Sequence, residues 1–362
     1  MPHAVEPSLD NPANSSPDSS VDSPVTRSRA REGLRGRSRD DWYVTTSQEV
    51  LDYTREQIEQ HGASPQQRQL MLKALETSSI GTAREGYCGA IHLPLLVYAG
   101  VHGSDKPAVP LAAVCVLLWL GAELYDNLTD GDLQEEWSGH EDFEIIFTAT
   151  ALGCVLPAAI VAGLDTTPER IQGMQDLLSK TLLRMFAGQT ADLFQRDAVQ
   201  VTAEQVELSV IAKNGEAKAL FCGISAYFAG ASLGQARAYV QYGRSLGAVY
   251  QLQSDSFEMF GDADCRDLVQ GVRTLQVVMC LEQLSPDERV DFVELLDQAK
   301  ESEAAREQVR QQLRLVRFLR PWAQVVLRHV NAGQEALSAA APLEPSRRIL
   351  HDILDGRTPR CV

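Results

Sequence analysis

From about residue 46 onward, apolar side chains recur at i, i+3, i+4 and i+7, the spacing that lines one face of a helix. The alternation of β-branched residues that marks strands is nearly absent. The pattern predicts helices over 47–60, 65–79, 108–126, 168–195, 203–230, 234–260, 285–331 and 335–355. Breaks fall where Gly, Asp or Pro cluster, at 104–107, 165–168, 261–264, 285–286 and 342–345. Ser285-Pro286-Asp287-Glu288 combines a capping serine, a proline at the first helical position and acids in the first turn. This patterning predicts an all-α protein, with residues 46–362 forming a single large helical bundle.

Residues 1–45 differ. They are rich in Ser, Pro and Asp and then in Arg, with few large apolar side chains to offset the entropy of ordering, so a disordered tail is expected. Its basic run, Arg27 to Arg39, reads as a solvated segment. Ile145 to Leu164 carries no charge and has about the length of a membrane span. Polar residues and Pro157 interrupt it, and no second such segment accompanies it, which favours a core helix broken near Pro157 over a transmembrane one.

Charge and thiols narrow the function classes. A net charge of −16 and a pI near 4.9 argue against nucleic-acid binding, which needs a cationic face. The 7 cysteines are scattered, without CxxC or finger spacing, as expected for free thiols in the cytoplasm.

Two acidic clusters carry the candidate chemistry. In the first, Glu123 to Asp132, Asp126 and Asp130 lie four apart at the end of an apolar helix, so both carboxylates share a side. A divalent cation would relieve their repulsion, and oxygen-only ligands favour Mg²⁺. In the second, Tyr250 to Asp262, Ser254, Glu258 and Asp262 lie at i, i+4 and i+8, and Asp255 and Glu258 at i, i+3. Each cluster reads alternatively as a solvated helix end. Together they suggest facing helices that clamp metal and diphosphate.

At these residues the chain resembles the trans-isoprenyl diphosphate synthases, over most of residues 80–358. Asp126-Asn127-Leu128-Thr129-Asp130 is similar to the family's first DDxxD motif, and Ser254-Asp255-Ser256-Phe257-Glu258 to its second, preceded by Tyr250-Gln251. Gly188-Gln189-Thr190-Ala191-Asp192 resembles the GQxxD helix, and Lys213-Asn214 the Lys-Thr pair that touches diphosphate. The resemblance implies a helical bundle of the isoprenoid synthase type and a homodimer. It also implies a prenyl diphosphate substrate, held with three Mg²⁺ ions. Metal ligands would be Asp126, Asn127, Asp130, Ser254, Asp255, Glu258 and Asp262, with Asp126, Asp130, Asp255 and Glu258 carrying catalysis. Lys213, Gln251, Arg266 and Arg273 would contact diphosphate, Lys218 competing with Lys213 for its role.

The departures shape the functional expectation. Where elongating synthases bind isopentenyl diphosphate through a GGKxxRP stretch, this chain reads Cys88-Gly89-Ala90-Ile91-His92-Leu93-Pro94, without the basic residues. After the first motif, Gly131-Asp132-Leu133-Gln134-Glu135-Glu136 replaces an arginine pair with acids. A second diphosphate would lack charge-assisted partners. The expectation is therefore a class I terpene synthase: a lyase that ionises a prenyl diphosphate, with cyclisation or water capture. The alternatives are transfer to a non-isopentenyl acceptor, or a catalytically silent partner subunit. Trp119, Gly121 and Ala122, within about two turns before Asp126, should line the pocket with Gln189, Asp192 and Phe257. The small Gly121 and Ala122 point to a C15 to C20 substrate, C20 favoured. His92 and His140 are isolated and carry no catalytic role.

Overall fold

The computed structural model describes residues 38–82, 86–196, 201–261 and 265–357, and among them the regular elements are helical, with no strand. Residues 1–37 of the expected tail lie outside the described residues. The bundle begins earlier than residue 46. Helix α1 spans Arg39–His61, because Trp42 and Tyr43 are core residues, each 1% exposed. The Trp42 indole donates to Asp105 Oδ2 at 2.6 Å, and Arg39 pairs with Asp352 across the bundle, also at 2.6 Å.

Helices α2 (Pro65–Thr77), α3 (Gly89–His102) and α4 (Val109–Asp130) follow. α3 lacks polar-apolar alternation because it is buried on nearly every side, and for that reason the periodic pattern misses it. Its His92 fastens α3 to α1: the Cys88 N–H donates to Nδ1 at 2.8 Å, and Nε2 lies 3.1 Å from the Tyr43 carbonyl. Those partners suit a neutral ring with its proton on Nε2. Burial pushes the His92 pKa down to about 4. With an unfolded pKa near 6.5, the unfolded chain binds the extra proton first, so the stability held above about pH 6.5 is lost as pH falls toward 4. The loss should reach about 3 kcal/mol. Urea titrations of wild type and His92→Gln between pH 7 and 4 check this; a wild-type slope equal to that of the variant refutes it.

The uncharged stretch after α4 forms α5 (Asp142–Thr150), a π-helical turn (Ala151–Val155) and α6 (Leu156–Ala162). Pro157 offers no N–H to the Gly153 carbonyl and its ring crowds that group, so the helix widens just before it. Gly153 packs directly on Gly121 of α4; a Cβ on Gly121 would lie 2.6 Å from Gly153 Cα. Both this stretch and α4 are long and apolar enough to cross a membrane, but 67% of the apolar window around α4 and 56% of the other are buried among neighbouring helices. Burial of that kind is what core helices show.

The second half holds α7 (Pro168–Arg196), α8 (Ala203–Val210), a second π turn (Ile211–Gly215), α9 (Glu216–Phe228) and α10 (Leu233–Phe260). α10 packs along α9 on one side and along α14 on the other, and the Tyr242 hydroxyl donates to the Leu350 carbonyl at 2.7 Å. The expected 285–331 helix is three: α12 (Pro286–Ala299), α13 (Glu303–Leu313) and α14 (Val316–Ala340), after a short α11 (Leu275–Gln283). Ser285 caps α12 in a reciprocal box with Glu288, as its sequence predicts. Ser302 starts α13 the same way with a single bond. The 335–355 segment divides at Pro342 and Pro345, which cannot continue a helix, leaving α15 at Ser346–Leu354.

Candidate active site

α4 ends at Gly131, whose φ of 72° takes the left-handed conformation that closes a helix with little strain. That stop leaves Asp126 and Asp130 on the last turns, half-buried. Below Asp126 opens a cavity of about 430 Å³. α4 supplies Trp119 and Ala122 to its walls, α7 supplies Met185 and Phe186, and α9 supplies Leu220 and Phe221.

The second π turn builds the mouth. Lys213 Nζ stands 3.3 Å from Asp126 Oδ2. Its neighbour Asn214 donates through Nδ2 to Gln251 Oε1 at 2.6 Å, and Gln251 Nε2 donates to Asp255 Oδ1 at 2.6 Å. One turn of backbone therefore reaches an acid of each cluster. Gln270, beyond the second cluster, donates to Asp132, just beyond the first, at 2.8 Å. Both acidic helix ends thus lie at the same end of the bundle. Gly247 of α10 lets the π turn sit this close, since a Cβ there would fall 2.2 Å from the Asn214 carbonyl oxygen. Behind the turn, buried Glu216 accepts from Arg184 Nε at 2.8 Å and from Arg244 Nε at 2.7 Å.

Lys213, not Lys218, is the mouth cation. Lys218 is 7% exposed and lies behind the wall, its ammonium 4.5 Å from the Trp119 ring centroid and 5.1 Å from that of Phe221. Asn127, Gly121, Ala122, Trp119 and Gln189 line the cavity as expected. Phe257 does not: it is 71% exposed, because it follows Gln251 by six residues and so turns away from the face that carries Gln251 and Asp255. Ser254 is exposed and Glu258 half-buried; Asp262 lies outside the described residues, as does the Asp192 side chain. Arg266 is exposed, whereas Arg273 is half-buried and desolvation lowers its pKa against the opposing influence of Asp297.

Glu123 also lines the cavity, a residue that the spacing of the acidic cluster left without a role. Its Oε1 accepts from Ser79 at 3.4 Å, and burial raises its pKa. Its signal in the sequence is an acid one turn before Asp126 in an otherwise apolar helix. Phe186 and Met185 were likewise missed, although they precede Gln189 by three and four residues on the same helical face.

Among the described residues no group of three or more His, Cys, Asp or Glu side chains could by itself hold a metal. Mg²⁺ needs no such cage, since it is held by one or two carboxylates, waters and substrate phosphates. The half-buried Asp126 and Asp130, with Asn127 beside them, offer oxygen donors only and fit that requirement. The positions that match the GGKxxRP basic residues do not open to a second anion: Ala90 is 2% exposed and Leu93 0%.

Comparison with known proteins agrees with the helical fold. Residues 140–313 match the family model for polyprenyl synthetase. That match contains Lys213 and the second acidic cluster and begins after the first. A short chain isoprenyl diphosphate synthase of Methanothermobacter thermautotrophicus is 23% identical over 222 residues, covering 58% of this chain and 67% of that protein. A geranylgeranyl diphosphate synthase of Methanosarcina mazei is 29% identical over 130 residues, 34% of this chain and 40% of that protein. The crystal structure of polyprenyl synthetase from Streptomyces coelicolor A3(2) superimposes with a TM-score of 0.77 at 21% identity, covering 86% of this chain and 97% of that one.

Proposed function

Because the chain belongs to the trans-isoprenyl diphosphate synthase superfamily, we propose that it ionises a prenyl diphosphate and transfers the prenyl group to an acceptor other than isopentenyl diphosphate. The observation that carries this is the π turn, whose Lys213 reaches the first acidic cluster and whose Asn214 reaches the second through Gln251. Lys213 would hold a terminal diphosphate at the mouth, and the apolar walls below would take the chain. Asp126 and Asp130, with Asp255 and Glu258 of the second cluster, would hold Mg²⁺, which would supply Lewis-acid stabilisation of charge on the departing diphosphate. Gln251 keeps Asp255 oriented, and the apolar walls surround the allylic cation.

Transfer is favoured over the cyclisation expected from sequence because the relatives are named as isoprenyl diphosphate synthases. Elongation is disfavoured by the buried Ala90 and Leu93 where basic residues would stand, and by Asp132, Glu135 and Glu136 after the first cluster. A silent subunit would have no use for paired carboxylates at an open mouth. The exposed Phe143 and Phe147 of α5, whose rings pack together, and the exposed Leu183 and Phe194 of α7 support a homodimer, and the scattered free thiols suit the cytoplasm.

The test is incubation of the protein and Mg²⁺ with geranyl, farnesyl and geranylgeranyl diphosphate, with and without isopentenyl diphosphate. Diphosphate release should be fastest with the C20 substrate, and added isopentenyl diphosphate should yield no longer diphosphate. Longer diphosphates would refute the reading. Ala122→Phe fills the cavity one turn below Asp126 and should shift preference to C10 or C15 by about tenfold, a change of about 1.4 kcal/mol in differential binding. Unchanged preference would remove the chain-length argument.

A further inference from the structure

Lys218 sits on the first turn of α9 and is 7% exposed, an unusual place for a lysine. Its Nζ stands 4.5 Å from the ring centroid of Trp119 and 5.1 Å from that of Phe221. Both aromatic residues line the cavity, and Lys218 does not. Their π faces stabilise the ammonium form over the neutral amine. Gly89, the first residue of α3, leaves room for it, since a Cβ there would lie 3.3 Å from Nζ.

Trp119 precedes Asp126 by seven residues on α4, about 10 Å along the axis. Phe221 likewise lies eight residues beyond Lys213. The buried charge therefore acts on the deep half of the cavity, far from the mouth. Ionisation breaks the prenyl C1–O bond, with its electron pair going to diphosphate, and leaves an allylic cation at the mouth. In transfer, an acceptor gives a pair to C1, the new bond forms there, and the acceptor proton passes to the released diphosphate. In cyclisation, a distal double bond gives its pair to C1, a C–C bond forms, and the positive charge moves to a distal carbon. Aromatic walls ordinarily stabilise such a charge. Here both rings already face an ammonium, and two unit charges about 9 Å apart in a protein interior repel enough to change a rate at least tenfold.

We propose that Lys218 determines specificity: its ammonium, packed against Trp119 and Phe221, opposes positive charge in the deep half of the cavity and so keeps the allylic cation at the mouth for the acceptor. This rests on the transfer reading above and specifies what suppresses cyclisation.

The probes are two unreactive C20 thiolodiphosphates, one all-carbon and one carrying a protonated tertiary amine in its third isoprene unit. Calorimetry measures the binding of each to the full chain with Mg²⁺. The ratio of the two dissociation constants isolates charge at depth, because a merely structural loss weakens both alike. The penalty for the amine should be about tenfold larger in wild type than in Lys218→Met or Lys218→Gln, and Lys218→Arg should keep most of it. With geranylgeranyl diphosphate, the cyclic fraction of product per diphosphate released should rise about tenfold in the two neutral variants. An equal penalty in wild type and a folded neutral variant (by its melting curve), or an unmoved cyclic fraction, overturns the role of Lys218 alone. Wild type that binds the amine as tightly as the all-carbon probe overturns it without any variant. Wild type that binds neither probe overturns the prenyl diphosphate reading, and this assignment with it.

Discussion

Replacing Asp126 with alanine should lower diphosphate release by about a thousandfold, at the upper end for loss of one preorganised electrostatic group. Asp126 lines the cavity at its mouth and faces Lys213 at 3.3 Å, so it is placed both to bind a cation and to hold the lysine where a diphosphate would arrive. Asp130 shares its side of the helix end. The fold should persist, because removing one of two like charges four residues apart relieves repulsion. Single-turnover release of diphosphate, with a melting curve to establish folding, measures the effect. Release within tenfold of wild type would remove Asp126 from the chemistry.

The second large effect is on stability. Glu216 is 5% exposed and holds two guanidinium groups, at 2.8 Å and 2.7 Å. Arg184 and Arg244 retain 38% and 29% side-chain exposure, so water can still solvate them in part. The asymmetry predicts unequal outcomes. Arg184→Met with Arg244→Met leaves a buried carboxylate uncompensated and should cost about 3–5 kcal/mol. Glu216→Leu leaves only part-exposed cations and should cost less than half as much. Because Glu216 follows the π turn directly, the double arginine variant should also lose diphosphate release as Lys213 and Asn214 lose their aim. Urea unfolding ranks the variants; equal stability of the double variant and wild type would refute the argument.

The helical nature of the chain and the start of α12 were legible in the residues themselves, whereas the expected 108–126 helix runs four residues further, to Asp130. The first two depend on local rules: apolar spacing, and a serine with a proline and a glutamate in register. Asp126 and Asp130 were legible for the same reason, since two acids four apart at the end of an apolar run are unusual. α3 was not, because a helix buried all round loses the contrast on which periodicity depends. Phe257 was assigned to the pocket because an aromatic inside a motif carries no sign of which way it faces.

The choice between Lys213 and Lys218 shows where local reasoning stops. On a regular helix the two differ by five residues, and either phase is allowed. The extra residue of the π turn resets that phase, and its backbone sits where it does because Gly247 of α10 leaves room. Sequence alone determined the all-α character, the start of α12 and the two acidic clusters, since those are set within a few residues. Only tertiary packing decided which lysine reaches the mouth, that Glu123 and Gln189 share one cavity, and that both clusters lie at one end of the bundle. Those facts depend on contacts between helices far apart in the chain, and no local spacing encodes the distance between two such surfaces.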